Sequence, residues 1–223
     1  PLRSKGIMEG ADLGIALDGD GDRVILCDEK GQVIDGDAII ALIAENWQKK
    51  AKLTSAQVAG TVMSNLGLEV FLKDRDLELI RTPVGDRHVM QAMQVAGMNI
   101  GGEQSGHVVL PSFIPTGDGM IAALQFLAIL KEEGLKASAL AKRFKAFPQV
   151  LKSLRVKDAD AVLNHKSFTD AVENFEKKIG SKGRILVRKS GTEPVLRIMA
   201  EGEDAKVINQ VVDSLIEKAK FLS

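Results

Sequence analysis

From Asp37 to Glu133 the chain alternates between segments with helical spacing of apolar residues and short apolar runs of strand length, and this alternation limits the fold more than any other feature. A helix starting at Asp37 carries Ile39, Ile40, Ile43 and Trp47 on one stripe. A strand at 57–62, a helix at 68–73, a strand at 77–81, a helix at 86–96, a short strand near Ile100 and a strand at 107–110 follow. A helix at 119–133 closes the series, with Asp118 near its start favouring the dipole and Gly134 as its C-terminal cap. Elements in that order predict helices packed on a mainly parallel sheet.

Upstream, the strand-like runs 14–17 and 24–27 flank an acidic loop, with Gly31 as the next turn. That pattern reads as the end of a further α/β domain. Past Pro148 the order changes to a strand at 150–156, a helix at 167–179, strands at 184–187 and 195–200, and a last helix at 205–221. The expected organisation is therefore the end of an α/β domain over 1–35, a mixed parallel-sheet α/β domain over 36–148, and a smaller α+β domain over 149–223. The first residue is Pro1, and a strand begins almost at once, as in a partial chain or a cleavage product.

Composition narrows the functional classes. Of 223 residues 45% are hydrophobic, enough to build proper cores, and thirty Lys and Arg balance thirty Asp and Glu. With no net field, nucleic acid or an anionic membrane is not an expected partner, and any phosphate must be caught by local groups. The longest apolar run, 120–130, is interrupted by Gln125 and far shorter than the roughly 20 residues a bilayer requires, so it reads as a buried core helix. The single cysteine, Cys27, cannot form an internal disulfide and no secretory leader opens the chain, which together predict a reducing cytoplasm.

Three loops carry chemistry. The first, Asp18-Gly19-Asp20-Gly21-Asp22-Arg23, sets three carboxylates at alternate positions, separated by glycines that let the backbone turn tightly. Hard oxygen donors at this spacing suit magnesium or calcium. A calcium-binding helix-loop-helix is the rival, since Glu29 falls where its bidentate glutamate belongs; Arg23 at the position of the required glycine and strand-like flanks oppose it. A polar hairpin turn would use the same residue types. The second loop, Gly101-Gly102-Glu103-Gln104-Ser105-Gly106-His107, offers carboxylate, amide, hydroxyl and imidazole within five residues, as a polyhydroxylated ligand or a polar interdomain loop would require. The third, Arg188-Lys189-Ser190-Gly191-Thr192-Glu193-Pro194, lies between two strands with Arg197 just beyond. Guanidinium, hydroxyls and free amides there make an anion nest, or a charged hairpin turn.

In this order the three loops resemble the α-D-phosphohexomutase superfamily, whose members share a D-G-D-G-D metal loop, a G-E-x-S-G-H sugar loop and an R-x-S-G-T-E-P phosphate loop. Gln104, the run from Thr61 to Gly67 and the run Val84-Gly85-Asp86-Arg87 are similar to the phosphoglucosamine mutase branch; phosphomannomutases and phosphoglucomutases, the rival branch, usually carry methionine at the position of Gln104. The likeness runs from about Ala11 to the end. It implies that Asp18, Asp20 and Asp22 hold Mg²⁺, that Arg23 faces the reacting phosphate, and that His107 lies near the reacting centre. Glu103 and Ser105 would bond sugar hydroxyls, while Arg188, Ser190, Gly191, Thr192 and, more weakly, Arg197 would grip the phosphate not being transferred. The implied substrate is a hexosamine phosphate: glucosamine 6-phosphate and glucosamine 1-phosphate interconvert through a phosphoserine and a sugar bisphosphate.

The family's serine lies in an upstream T-x-S-H-N-P loop, and no such string occurs in these 223 residues. The expected partners therefore include amino-terminal domains that carry the phosphoserine; the chain alone is expected to be inactive and to hold magnesium weakly. The sequence is compatible with a homodimer and does not fix the oligomeric state. A non-catalytic sugar-phosphate or metal-binding module is the alternative from another class. His88 and His165 read as surface or helix-start residues, Cys27 and Trp47 as packing residues, and Glu176-Lys177-Lys178 as a solvated helix face.

Overall fold

The computed structural model of the chain describes residues 1–180, 183–190 and 193–223, which divide into two compact units, Pro1–Ala146 and Phe147–Ser223.

The first unit opens with a short helix α1 (Leu2–Glu9) and an antiparallel meander, β1 (Leu13–Leu17), β2 (Val24–Asp28) and β3 (Val33–Ile34). Leu17 pairs with Val24, so the acidic loop is the β1–β2 hairpin connection. Helix α2 (Gly36–Lys49) starts at Asp35, whose side chain accepts from the Ala38 amide. Then come β4 (Gln57–Thr61), α3 (Leu66–Lys73), β5 (Glu78–Thr82), α4 (Asp86–Ala96), β6 (Gly101–Gly102), β7 (Val108–Val109), α5 (Gly119–Glu133) and α6 (Ala137–Ala141). The sheet order is β5-β4-β6-β7, with β4 parallel to both β5 and β6 and β7 antiparallel to β6. Strand alternation divides its side chains between two cores. Val58 and Val108 face the large core built from α2, α3, α5 and the meander, while Ala59 and Val109 face a smaller one with Val89, Met93 and Met98 around α4.

Helix α2 departs from its expected single stripe: every residue from Gly36 to Trp47 is buried. The reason is tertiary. Val24, Leu26 and Ile34 of the meander, Val58 and Val108 of the sheet and Phe126 and Ile129 of α5 all belong to the core that encloses this helix. Conversely, the apolar α5 is one-sided, with Met120 and Leu124 half exposed and Phe126 fully buried. Gly134 ends it in the left-handed conformation, as expected, and Asp118 is its N-cap, accepting from the Ile121 amide at 2.8 Å.

The second unit is an antiparallel sheet in the order β8-β10-β9, formed by β8 (Gln149–Arg155), β9 (Gly183–Lys189) and β10 (Val195–Gly202). Helices α7 (Ala159–Asn164), α8 (Lys166–Ile179) and α9 (Ala205–Leu222) cover one face. Leu196, Ile198 and Ala200 of β10 meet Ile208, Val211, Val212 and Leu215 of α9. This order matches the expected α+β pattern. The short elements α1, α6, α7 and β3 had no sequence signal. His165 is the N-cap of α8, accepting from the Ser167 amide, and Cys27 is buried on β2, where burial pushes its thiol up. Among the described residues no helix is long and apolar enough to cross a membrane.

Candidate active site

The acidic hairpin is closed by the Asp18 amide donating to the Arg23 carbonyl at 3.4 Å and by the Arg23 amide donating to Asp18 Oδ1 at 3.2 Å. Gly21 takes φ +76°, a conformation costly for a side chain. One carboxylate oxygen from each of Asp18, Asp20 and Asp22 lies within 4.8 Å of the other two. Burial works against ionisation of Asp18, but the Arg23 amide, a hydrogen bond with Asp22 and the Arg23 charge outweigh it and hold the carboxyl below its ordinary value. Arg23 Nε stands 3.9 Å from both Asp18 and Asp22. One guanidinium against three carboxylates leaves a surplus of negative charge. Six oxygens around a magnesium ion at about 2.1 Å span at most about 4.2 Å, so small side-chain movements would bring this cluster onto such an ion. The donor set therefore fits a hard divalent cation. The calcium helix-loop-helix alternative fails, because strands flank the loop and Glu29 is bound instead to the amide and hydroxyl of Ser138.

The second loop is fastened to the first. Arg23 and His107 form an antiparallel bridge, and the Val24 amide donates to the Gly106 carbonyl at 3.1 Å. Gly106 has no room for a side chain, since a Cβ would fall 2.0 Å from the Val24 carbonyl oxygen. His107 is buried behind the acidic hairpin, its Nδ1 2.9 Å from Asp22 Oδ2. A carboxylate can only accept, so Nδ1 carries the hydrogen. Nε2 is left buried without a partner and packed against Gly117, where a Cβ would lie 2.4 Å away.

Glu103 accepts from the Gly85 amide through Oε1 at 2.9 Å and faces the Ser105 hydroxyl through Oε2 at 3.4 Å. That bond sets the turn Val84-Gly85-Asp86-Arg87 beside the second loop. Ser105 is exposed, whereas Gln104 turns inward and donates to Asp35 Oδ2 at 3.4 Å.

In the second unit Arg188 and Arg197 are direct cross-strand partners, two like charges placed opposite each other. Burial first, and then the Arg197 charge, hold the Arg188 guanidinium below its usual value. Arg188 Nε is buried with no hydrogen-bond partner, and neither arginine has an acidic partner among the described residues. An unsatisfied buried donor costs about 1–3 kcal/mol, which an anion bound here would recover. The Ser190 amide donates to the Val195 carbonyl at 2.8 Å, closing the turn; Gly191 and Thr192, also expected in this nest, lie outside the described residues.

Residues 35–147 match the family model described as phosphoglucomutase/phosphomannomutase, alpha/beta/alpha domain III. The chain belongs to this phosphohexomutase family. Residues 130–218 match its C-terminal domain. Among curated relatives, the phosphoglucosamine mutase of Phenylobacterium zucineum is 53% identical over 210 residues, covering 94% of this chain and 46% of the relative. That of Maricaulis maris is 54% identical over 205 residues, covering 92% and 45%. The chain thus spans about half the length of the curated relatives it matches. Among solved structures, a phosphoglucomutase/phosphomannomutase family protein from Burkholderia thailandensis superposes with a TM-score of 0.81 at 25% identity, over 97% of this chain and 49% of that one. The Aspergillus fumigatus N-acetylphosphoglucosamine mutase, solved in complex with GlcNAc-6P and magnesium, shares the fold at TM-score 0.77 and 18% identity, over 93% and 48%.

The phosphohexomutase loops rest on residues that sequence reasoning passed over. Gly36 admits no side chain, since a Cβ would lie 2.1 Å from the Glu103 carbonyl oxygen, and its amide donates to the Gln104 carbonyl at 3.1 Å. Asp37 follows it, fully buried, and Gly117 stacks on His107. A glycine or an aspartate at a helix start is too common a local signal to have marked any of them.

Proposed function

We propose that the chain is the carboxy-terminal part of a phosphoglucosamine mutase, an isomerase that interconverts glucosamine 6-phosphate and glucosamine 1-phosphate by way of a phosphoserine and a sugar bisphosphate. Phosphoryl transfer is mainly a matter of positioning and charge neutralisation, and the acidic hairpin and the Glu103 loop are built for that division of work. The observation that carries the reading is their fusion: Asp22, Arg23 and Val24 are bonded directly to Gly106 and His107, so cation-binding and hydroxyl-binding groups share one rigid frame.

In this reading Asp18, Asp20 and Asp22 hold Mg²⁺, which when bound neutralises charge on the phosphoryl group. Arg23 faces that group. His107, through Nδ1, keeps Asp22 oriented. Glu103 and Ser105 bond sugar hydroxyls. Arg188, Arg197, Ser190, Gly191 and Thr192 grip the phosphate that stays. The identity of some 53% to a phosphoglucosamine mutase supports the amino sugar over glucose or mannose. The domains are 1–35, 36–148 and 149–223, and the serine comes from amino-terminal domains absent from these 223 residues, in the cytoplasm.

The test is calorimetric titration of the chain with glucosamine 1-phosphate and glucose 1-phosphate, with and without Mg²⁺, beside Arg188→Ala. Preferred binding of the amino sugar ester, lost in the variant, is the expected result; a preference for the glucose ester would remove the substrate assignment. The 223-residue chain alone should show no mutase turnover, and measurable turnover would remove the serine argument.

A further inference from the structure

Asp37 is fully buried and plays no part in the proposed chemistry. Its Oδ2 accepts from the Asn65 amide at 2.7 Å, the Ser64 hydroxyl also bonds it, and its Oδ1 is buried with no partner. An acid at the start of a helix favours the dipole, but an exposed position would serve that purpose without the desolvation. What burial achieves here is a connection.

The bonds around Asp37 form a closed circuit. From Asp37 the path runs to Asn65, and the neighbouring Ser64 carbonyl accepts from Arg81 Nη1 at 2.7 Å, as does the Thr61 carbonyl at 3.2 Å. Arg81 lies at the end of β5, four residues before Gly85. The Gly85 amide donates to Glu103 Oε1 at 2.9 Å. The adjoining Gln104 carbonyl accepts from the Gly36 amide at 3.1 Å, and Gly36 precedes Asp37. Four hydrogen-bonded joins and four short stretches of chain close the ring. The Glu103 carboxylate is on that ring, and its orientation depends on where the Gly85 amide stands.

We propose that Asp37 is a positioning residue for the second loop: by tying the Thr61–Gly67 turn to the start of α2 it closes the ring that aims the Glu103 carboxylate. The bonds that join the metal hairpin to this loop, from Val24 to Gly106 and from His107 to Asp22, lie outside the ring, so the effect falls first on the Glu103 carboxylate, which takes its bond from Gly85. The consequence for sugar binding rests on the reading of Glu103 as a sugar-hydroxyl partner; the ring itself does not.

Amide hydrogen exchange followed by NMR on the 223-residue chain separates the two. In Asp37→Ala, exchange should quicken at Asn65 and also at Gly85, by at least about fivefold, while amides in the middle of α5 keep native rates. Asp37→Asn retains an oxygen that accepts from Asn65 and should restore protection at both. Arg81→Leu cuts the ring on its far side and should open Gly85 as well, so it decides the matter if Asp37→Ala does not fold. Glucosamine 1-phosphate should bind Asp37→Ala at least about fivefold more weakly, with Mg²⁺ affinity within about twofold of native. If Gly85 stays protected in Asp37→Ala, or in Arg81→Leu, the ring does not transmit and the proposal is overturned. Should the native chain bind no sugar phosphate at all, the sugar assignment of Glu103 falls, and the Gly85 amide still decides the positioning role.

Discussion

Replacing Asp37 by asparagine should make the first unit more stable at alkaline pH than the native chain, by an amount that the surroundings of this residue set. The carboxyl has no exposed surface, and burial pushes it from 3.8 up to about 7; the nearby Asp35 charge adds to the rise, while the Asn65 amide, Ser64 and the Arg81 charge oppose it. At about 1.4 kcal/mol per pH unit, that rise corresponds to about 4 kcal/mol. In the folded state the group keeps a proton that the unfolded chain has already released between pH 4 and 7. Its contribution is therefore complete below the unfolded value and is lost as pH rises through the folded one. Asparagine does not titrate. The stability of Asp37→Asn relative to native should accordingly grow by about 3 kcal/mol between pH 4.5 and 8, the earliest part of the loss falling below that range. Groups that do not interact with residue 37 titrate alike in both proteins and cancel in the difference, and the removal of the Asp37 charge from beside Asp35 favours the variant at high pH as well. Trp47, the sole tryptophan, lies on the same buried helix, so its fluorescence during urea unfolding reports this unit. A difference that stays level with pH, or shrinks as pH rises, would refute the reasoning.

Three further outcomes are expected. Gly117→Ala puts a methyl group 2.4 Å from the His107 ring, so it should turn the imidazole away from Asp22 and weaken Mg²⁺ binding about 10- to 100-fold in titration calorimetry, with the fold retained by circular dichroism. Phe126→Ala empties the largest fully buried side chain of the main core and should cost the first unit about 3–5 kcal/mol in urea unfolding. Arg188→Ala removes a like-charge pair and an unsatisfied buried donor, so the second unit should unfold at no lower temperature by calorimetry even though phosphate binding is lost; a clear drop would mean that Arg188 serves the fold.

The long elements were legible because each carries its own signal over many residues. Helix 86–96 and the helix Gly119–Glu133, capped by Gly134, lie where spacing and capping predicted, and the strands of the second unit differ from expectation only at their ends. Some short elements were not legible. Strand β3 has two residues, and helices α1, α6 and α7 carry too few apolar positions to show a period, whereas the equally short β6 and β7 lie where strands near Ile100 and at 107–110 were expected. The three chemical loops stood out for the same local reason as the long helices, since acids, glycines and arginines are concentrated within six or seven consecutive residues.

Long-range relations had no such trace. Nothing in the run 18–23 says that His107, eighty-five positions from Asp22, would back it, and nothing in Gln104 says that it would turn inward to Asp35. Helix α2 shows a stripe in sequence yet is enclosed on every side, because the meander, sheet and α5 converge on it. The residue types that can bind a cation, a sugar and a phosphate are local properties of the chain, and the sequence by itself determined them. Which oxygen faces which amide, and therefore which carboxylate is held for a ligand and which is spent on the frame, was decided only in the tertiary structure, because burial and hydrogen-bond partnership arise between segments that meet on folding.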